Sequence, residues 1–168
     1  NPAYGPGRGA SLRTSTTYTD FYETADVVAW NSSLTQAFGL LAHVTNQGLG
    51  STLGYAFTYQ EIEHSISIAK ITGENGSDIS GTSKPLTLDP AKSYRFVFIG
   101  KGANLEGRVY ELPDTRQPIA TTSATESSYP SGINGLLVYD NSSAGNSTAD
   151  ATFDNFFALD VEPPELTL

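Results

Sequence analysis

The sequence predicts an all-β protein, a two-sheet antiparallel β-sandwich or jelly roll. Three features point there: apolar residues alternate or cluster in short runs, Gly or Asn punctuates the chain at short intervals, and no window carries the periodicity of an amphipathic helix. The 168 residues make one domain the default. A chain of this size buries roughly 70% of its unfolded surface, so 38% hydrophobic residues with nine Tyr and eight Phe can fill a core without staples.

The elements follow in chain order. Residues 1–10 (NPAYGPGRGA) hold too many Pro and Gly for a regular element and read as an N-terminal arm. Strand candidates then run SLRTSTTY, DFYETADVVAW, QAFGLLAHVT, GYAFTYQ, SISIAKI, PLTL, SYRFVFIG, LEGRVYEL, IATTSA, INGLLVYD and ATFDNFFALDV, a single domain over 11–161. Each is short and rich in β-branched and aromatic residues. The turns between them, NQGLG at 46–50, GENGSD at 73–78 and NSSAGN at 141–146, supply residues that tolerate positive φ. GKG at 100–102 reads as another hairpin turn with Lys101 at its tip, since it lacks the spacing of a phosphate loop. Residues 162–168, with Pro163 and Pro164, read as a tail or linker, the exit toward other domains of a longer parent chain.

Composition excludes several function classes. Nine Lys and Arg against eighteen Asp and Glu give a net charge of −9 with no basic stripe, which argues against a nucleic-acid partner. No apolar run is long enough for membrane insertion. With no Cys in the chain, thiolate metal sites and cysteine nucleophiles are excluded. Only 16% of residues are charged while Ser, Thr, Gly and Asn abound, a balance that suits an extracellular β-protein. Four Asn-X-Ser/Thr sequons occur, at Asn31, Asn75, Asn141 and Asn146.

Taken in order, TDFYETADV, QAFGLLAHV, GYAFTY, YRFVFIGKGANLEGRVYEL, SGINGLLVYDN and ADATFDNFFAL resemble the concanavalin A-like jelly rolls of the laminin-G type. The likeness, over Ser11 to Val161, is to bacterial domains related to the 3-keto-disaccharide hydrolase group and to carbohydrate-binding modules. It implies two antiparallel sheets, a concave face that receives a glycan and a convex side that holds calcium. It makes Asp154 the first calcium ligand and Asp20 the second. His43 stands where those hydrolase-like domains carry Arg, a departure that weighs against carrying over their activity.

Strand alternation orders the candidate side chains. It places Leu41 and His43 on one face opposite Leu40, Ala42 and Val44; Arg108 and Tyr110 together opposite Val109; and Asp154 with Phe156 opposite Phe153 and Phe157. Sugars need a flat ring beside a few polar groups. Trp30, Tyr59, Tyr110 and Tyr139 qualify as rings, although Trp30 also reads as a strand-end packing residue. Tyr110 with Arg108, and Tyr139 with Asp140 and Asn141, have the polar neighbours, and His43 completes the expected ligand-binding set.

For catalysis, Glu61 and Glu63 would project from one face if Glu61-Ile62-Glu63-His64 were a strand, at a spacing conceivable for a glycosidase pair. The third position of the glutamate-rich glucanase strand falls on Ser65, so that motif is incomplete, and the segment also reads as a solvated hairpin. No GxSxG, HxH or HExxH pattern occurs. The leading expectation is an extracellular or cell-surface carbohydrate-binding or adhesion module without catalysis. The alternatives are a glycan-active enzyme using Glu61, Glu63 and His43 or His64, and a structural or assembly domain that binds no small ligand.

Overall fold

The computed structural model describes residues 7–141 and 148–160, which form twelve strands and no helix. They are β1 (Arg8–Tyr18), β2 (Phe21–Trp30), β3 (Gln36–Thr45), β4 (Leu53–Gln60), β5 (Ser65–Thr72), β6 (Asn75–Asp78), β7 (Lys84–Pro85), β8 (Tyr94–Lys101), β9 (Asn104–Glu111), β10 (Ala120–Thr125), β11 (Gly132–Asp140) and β12 (Ala151–Leu159). A seven-stranded sheet runs β1-β11-β3-β4-β5-β6, with β7 also on β5, and a five-stranded sheet runs β10-β9-β8-β2-β12. The pairings are antiparallel in both sheets, so the predicted two-sheet β-sandwich is the fold.

The core lies between the sheets and is built by alternation. Phe38 and Leu40 of β3, Tyr55, Phe57 and Tyr59 of β4, and Ile66 and Ile68 of β5 point inward from one sheet. Phe21, Tyr94, Phe96 and Phe98 meet them from the other. Ring centroids lie 5.6 Å apart for Phe57 and Phe96 and 6.1 Å for Phe38 and Phe96, the spacing at which aromatic pairs attract beyond their burial. Burying each such ring stabilises the fold by roughly 1.5 to 3 kcal/mol.

Several boundaries differ from the sequence reading for physical reasons. β1 begins at Arg8, because its backbone pairs with β11 from Arg8↔Tyr139 onward whatever the side chains. GENGSD is a turn only at Gly73 and Glu74, both at positive φ in a two-residue hairpin, and continues as β6. PLTL contributes only Pro85 to the sheet, joined to Lys84 before it in β7, and Leu88 then enters the core.

Two bulges overturn the parity assignments. His43 takes φ 51, and the β3–β4 register shifts between Ala42 and Thr45. The His43 ring therefore points inward against Phe21, 4.9 Å between centroids, while Val44 joins Leu41 in the smaller apolar cluster of the opposite face. Asn155 takes φ 51 inside β12, and the register shifts between Asp154 and Phe157. Phe153 and Phe156 accordingly pack on the core, whereas Phe157 is exposed beside Tyr22. No helix among the described residues is long and apolar enough to cross a membrane.

Candidate functional site

The outer face of the seven-stranded sheet carries a groove of about 810 Å³. Its floor follows from the strands that build the core. Where β4 turns Tyr55, Phe57 and Tyr59 inward, it turns Ala56, Thr58 and Gln60 outward. Register then lines up three rows across the sheet: Tyr139, Ala37, Gln60 and Ser65; Leu137, Gly39, Thr58 and Ser67; and Leu41, Ala56, Ala69 and Asp78. Small side chains leave room for a ligand. At Gly39 the β3 and β4 backbones come so close that no side chain fits.

Polar groups converge at one end of this floor. Gln60 Nε2 donates to the Tyr139 hydroxyl at 2.9 Å, and Asn141 Nδ2 donates to Gln60 Oε1 at 3.1 Å. Ser67 Oγ donates to Asp78 Oδ1 at 2.9 Å. Burial pushes the Tyr139 phenol up, and the charges of Asp78 and Glu63 push the same way, against hydrogen bonds from Gln60 and Thr58. Curling of the sheet brings two diagonal corners together, so that Arg8 Nη1 of β1 donates to the Glu74 carbonyl at 2.6 Å and lies 3.8 Å from its carboxylate. The groove thus has a floor, a polar end and a rim.

The expected ligand set does not form one site. Tyr139 and Asn141 line the groove, but Asp140, the next residue on the alternating strand, is buried and faces away from it. Arg108 and Tyr110 stand on the outer face of the other sheet, opposite Val97 and Arg95, where Arg108 Nε donates to Glu106 at 2.7 Å. His43 is inside the sandwich, with Nδ1 2.7 Å from the Tyr129 carbonyl, and burial holds its ring below the ordinary histidine range. Trp30 and Tyr59 belong to the core. The residues that sequence reasoning passed over are Gln60, Thr58, Asp78 and Arg8. Their signal was the small, polar half of each alternating strand, which reads as ordinary surface unless the sheet is known to curl.

The catalytic candidates are separated too. Residues 61–64 are a turn between β4 and β5, with His64 at φ 43, because the chain must reverse between antiparallel neighbours. Glu61 turns inward and accepts from Trp30 Nε1 at 2.9 Å; burial raises its carboxyl despite that bond. Glu63 instead lines the groove. His64 Nδ1 lies 3.2 Å from the Tyr59 hydroxyl.

Asp154 and Asp20 do not fit a shared calcium ion. Asp154 is exposed on β12, and its pairing with Asp26 puts it about 20 Å along β2 from Asp20, at roughly 3.3 Å per residue. Asp154 Oδ1 accepts the Asn155 amide at 2.7 Å, and Asp20 Oδ1 accepts the Gly102 amide at 2.8 Å. Among the described residues no three His, Cys, Asp or Glu side chains are grouped to hold a metal. Of the sequons, Asn75 and Asn141 line the groove, Asn31 is exposed at its own turn, and Asn146 lies outside the described residues.

No protein-family model matches the chain, and none of the curated proteins matches it by sequence. Among solved structures it is similar to the carbohydrate-binding module CBM66 from Bacillus subtilis, with a TM-score of 0.69 and 21% identity over 90% of this chain and 81% of that one. It is also similar to the Ca2+-bound exoplasmic/lumenal domain of VIP36, with a TM-score of 0.65 and 11% identity over 99% and 79% of the two chains. Chicken galectin 2 aligns with a TM-score of 0.53 and 8% identity over 83% and 89%. The shared property is the lectin-like jelly-roll sandwich.

Proposed function

We propose that the chain is a non-catalytic carbohydrate-binding module, acting outside the cell or on its surface as part of a larger protein, and that it holds its glycan in the groove of the seven-stranded sheet. The observation that carries this reading is the chain of planar polar groups Tyr139, Gln60 and Asn141 beside a floor of Ala, Gly, Ser and Thr. Amides and a phenol match sugar hydroxyls in both donor and acceptor sense. A cleft of about 810 Å³ is within the usual range for small-ligand sites. The likeness to a carbohydrate-binding module and to lectins supports the ligand class as an analogy of fold, while the groove itself carries the argument.

Separation of Glu61 from Glu63 supports binding over hydrolysis, because a glycosidase pair needs both carboxyls flanking one bond. Asp20 and Asp154 stand too far apart to share an ion, so a calcium site on this chain would use one of them with backbone carbonyls, a reading that the Ca2+-bound VIP36 neighbour supports. An open groove buries few groups, so affinity is expected on the order of 0.1 to 1 mM. The test is titration of the glycan selected from an array. Tyr139→Ala is expected to weaken binding by roughly 1 to 3 kcal/mol while the melting transition stays cooperative. Unchanged affinity in that variant would place the glycan elsewhere.

A further inference from the structure

The groove has a charge imbalance that the hydrogen-bond chain does not require. Glu63, Glu74 and Asp78 line it, and Arg8 is its cation among the described residues. Arg8 is already engaged with Glu74, through the carbonyl at 2.6 Å and the carboxylate at 3.8 Å. Ser83 and Pro85 line the groove while Lys84 between them does not, as alternation requires of a strand residue facing the other way. Glu63, Asp78 and Tyr139 line the same groove, and beyond burial, the main cause, both charges push the Tyr139 phenol up. Outside the described residues, 1–6 and 142–147 carry no charged side chain and 161–168 carry Glu162 and Glu165, so the sequence there holds no Lys or Arg.

Resting on the glycan-binding reading above, we propose that this groove sorts glycans by charge: Glu63 and Asp78 turn away uronates and sulfated sugars, while uncharged chains enter and chains bearing a protonated amine bind best. A cleft lined by one sign of charge focuses its field inward, so a ligand anion meets more repulsion there than on an open face. Asp78 cannot swing aside without losing its bond from Ser67. The net charge of −9 adds a long-range term of the same sign.

The test uses an array in which one backbone is offered with hydroxyl, amine, carboxylate and sulfate substituents, followed by titration of each binder. Carboxylate and sulfate forms should bind at least about tenfold more weakly than the uncharged form in low salt, and the gap should narrow as salt screens it. Glu63→Gln, exposed on its turn, and Glu63→Gln with Asp78→Asn, which keeps an acceptor for Ser67, should bring the acidic forms toward the neutral one and weaken the amine form. Acidic glycans binding as well as neutral ones to the unaltered protein would overturn charge sorting and leave glycan binding standing. Equal discrimination in the two variants would assign it to other groups. An array on which nothing binds would remove both.

Discussion

Buried ionisable groups, Glu23, His43 and Asp26 among them, contribute to how stability depends on pH. Glu23 is fully buried between the sheets, and neither carboxyl oxygen makes a hydrogen bond of ordinary geometry. Burial pushes its carboxyl well above the usual range, only partly countered by the nearby Gly135 backbone. A raised carboxyl contributes stability that is present at low pH and is lost as pH rises through the folded value. His43 and Asp26 act at the other end. The buried His43 ring resists charging, so stability falls as acid protonates it. Burial alone would raise Asp26, but bonds from Arg95 at 2.7 and 2.8 Å and from Asn155 hold it below its ordinary value, and that contribution is lost as pH falls. The melting temperature should therefore pass through a maximum, and Glu23→Gln should flatten the alkaline side while leaving the acid side in place. An unchanged alkaline slope in thermal melts of that variant would assign the loss to another group. Glu61 belongs to this scale as well. Glu61→Gln keeps an acceptor for Trp30 and should change stability little, whereas Glu61→Ala leaves the indole N–H buried and unpaired at about 1 to 3 kcal/mol in denaturant unfolding.

Strand alternation explains which elements were legible and where reading failed. In β4 the pattern is unbroken, and Tyr55, Phe57 and Tyr59 go inward while Ala56, Thr58 and Gln60 go outward, as period two requires. In β3 and β12 the period is interrupted by His43 and Asn155 at positive φ. Neither is glycine, and although Asn and His tolerate positive φ, each sits inside an apolar strand run with no turn beside it, so the side chains beyond it fall on the face opposite to the one alternation predicts. Glycine marks a different constraint on β9. Gly107 lies under the Phe57 ring, which fills the space a side chain would take. Gly107→Ala should cost about 1 to 3 kcal/mol through overpacking, read as a shifted denaturant midpoint with an unchanged slope. A neutral result would mean that the ring can move, and with it the β4 strand that carries Thr58 and Gln60.

At the scale of the whole molecule, the sandwich was legible because burial on one face of each strand imposes period two wherever a sheet packs on another. The site was legible only in part. Tyr139 and Asn141 stood out as an aromatic beside an amide, and both line the groove. Arg108 and Tyr110 stood out as an aromatic beside a cation and lie on the other sheet, since local sequence does not say which sheet a strand joins. The meeting of Arg8 with Glu74 depends on the curl of six neighbouring strands, a property of no single one. The proposed binding surface is the seven-stranded sheet, not the five-stranded one. Backbone amide chemical shifts followed during titration with an array-selected glycan test it most directly. Shifts confined to Thr58, Gln60, Ser65, Tyr139 and Asn141, with Arg108 and Tyr110 silent, are the predicted result. Shifts centred on Arg108 and Tyr110, with the Tyr139 row unmoved, would contradict it.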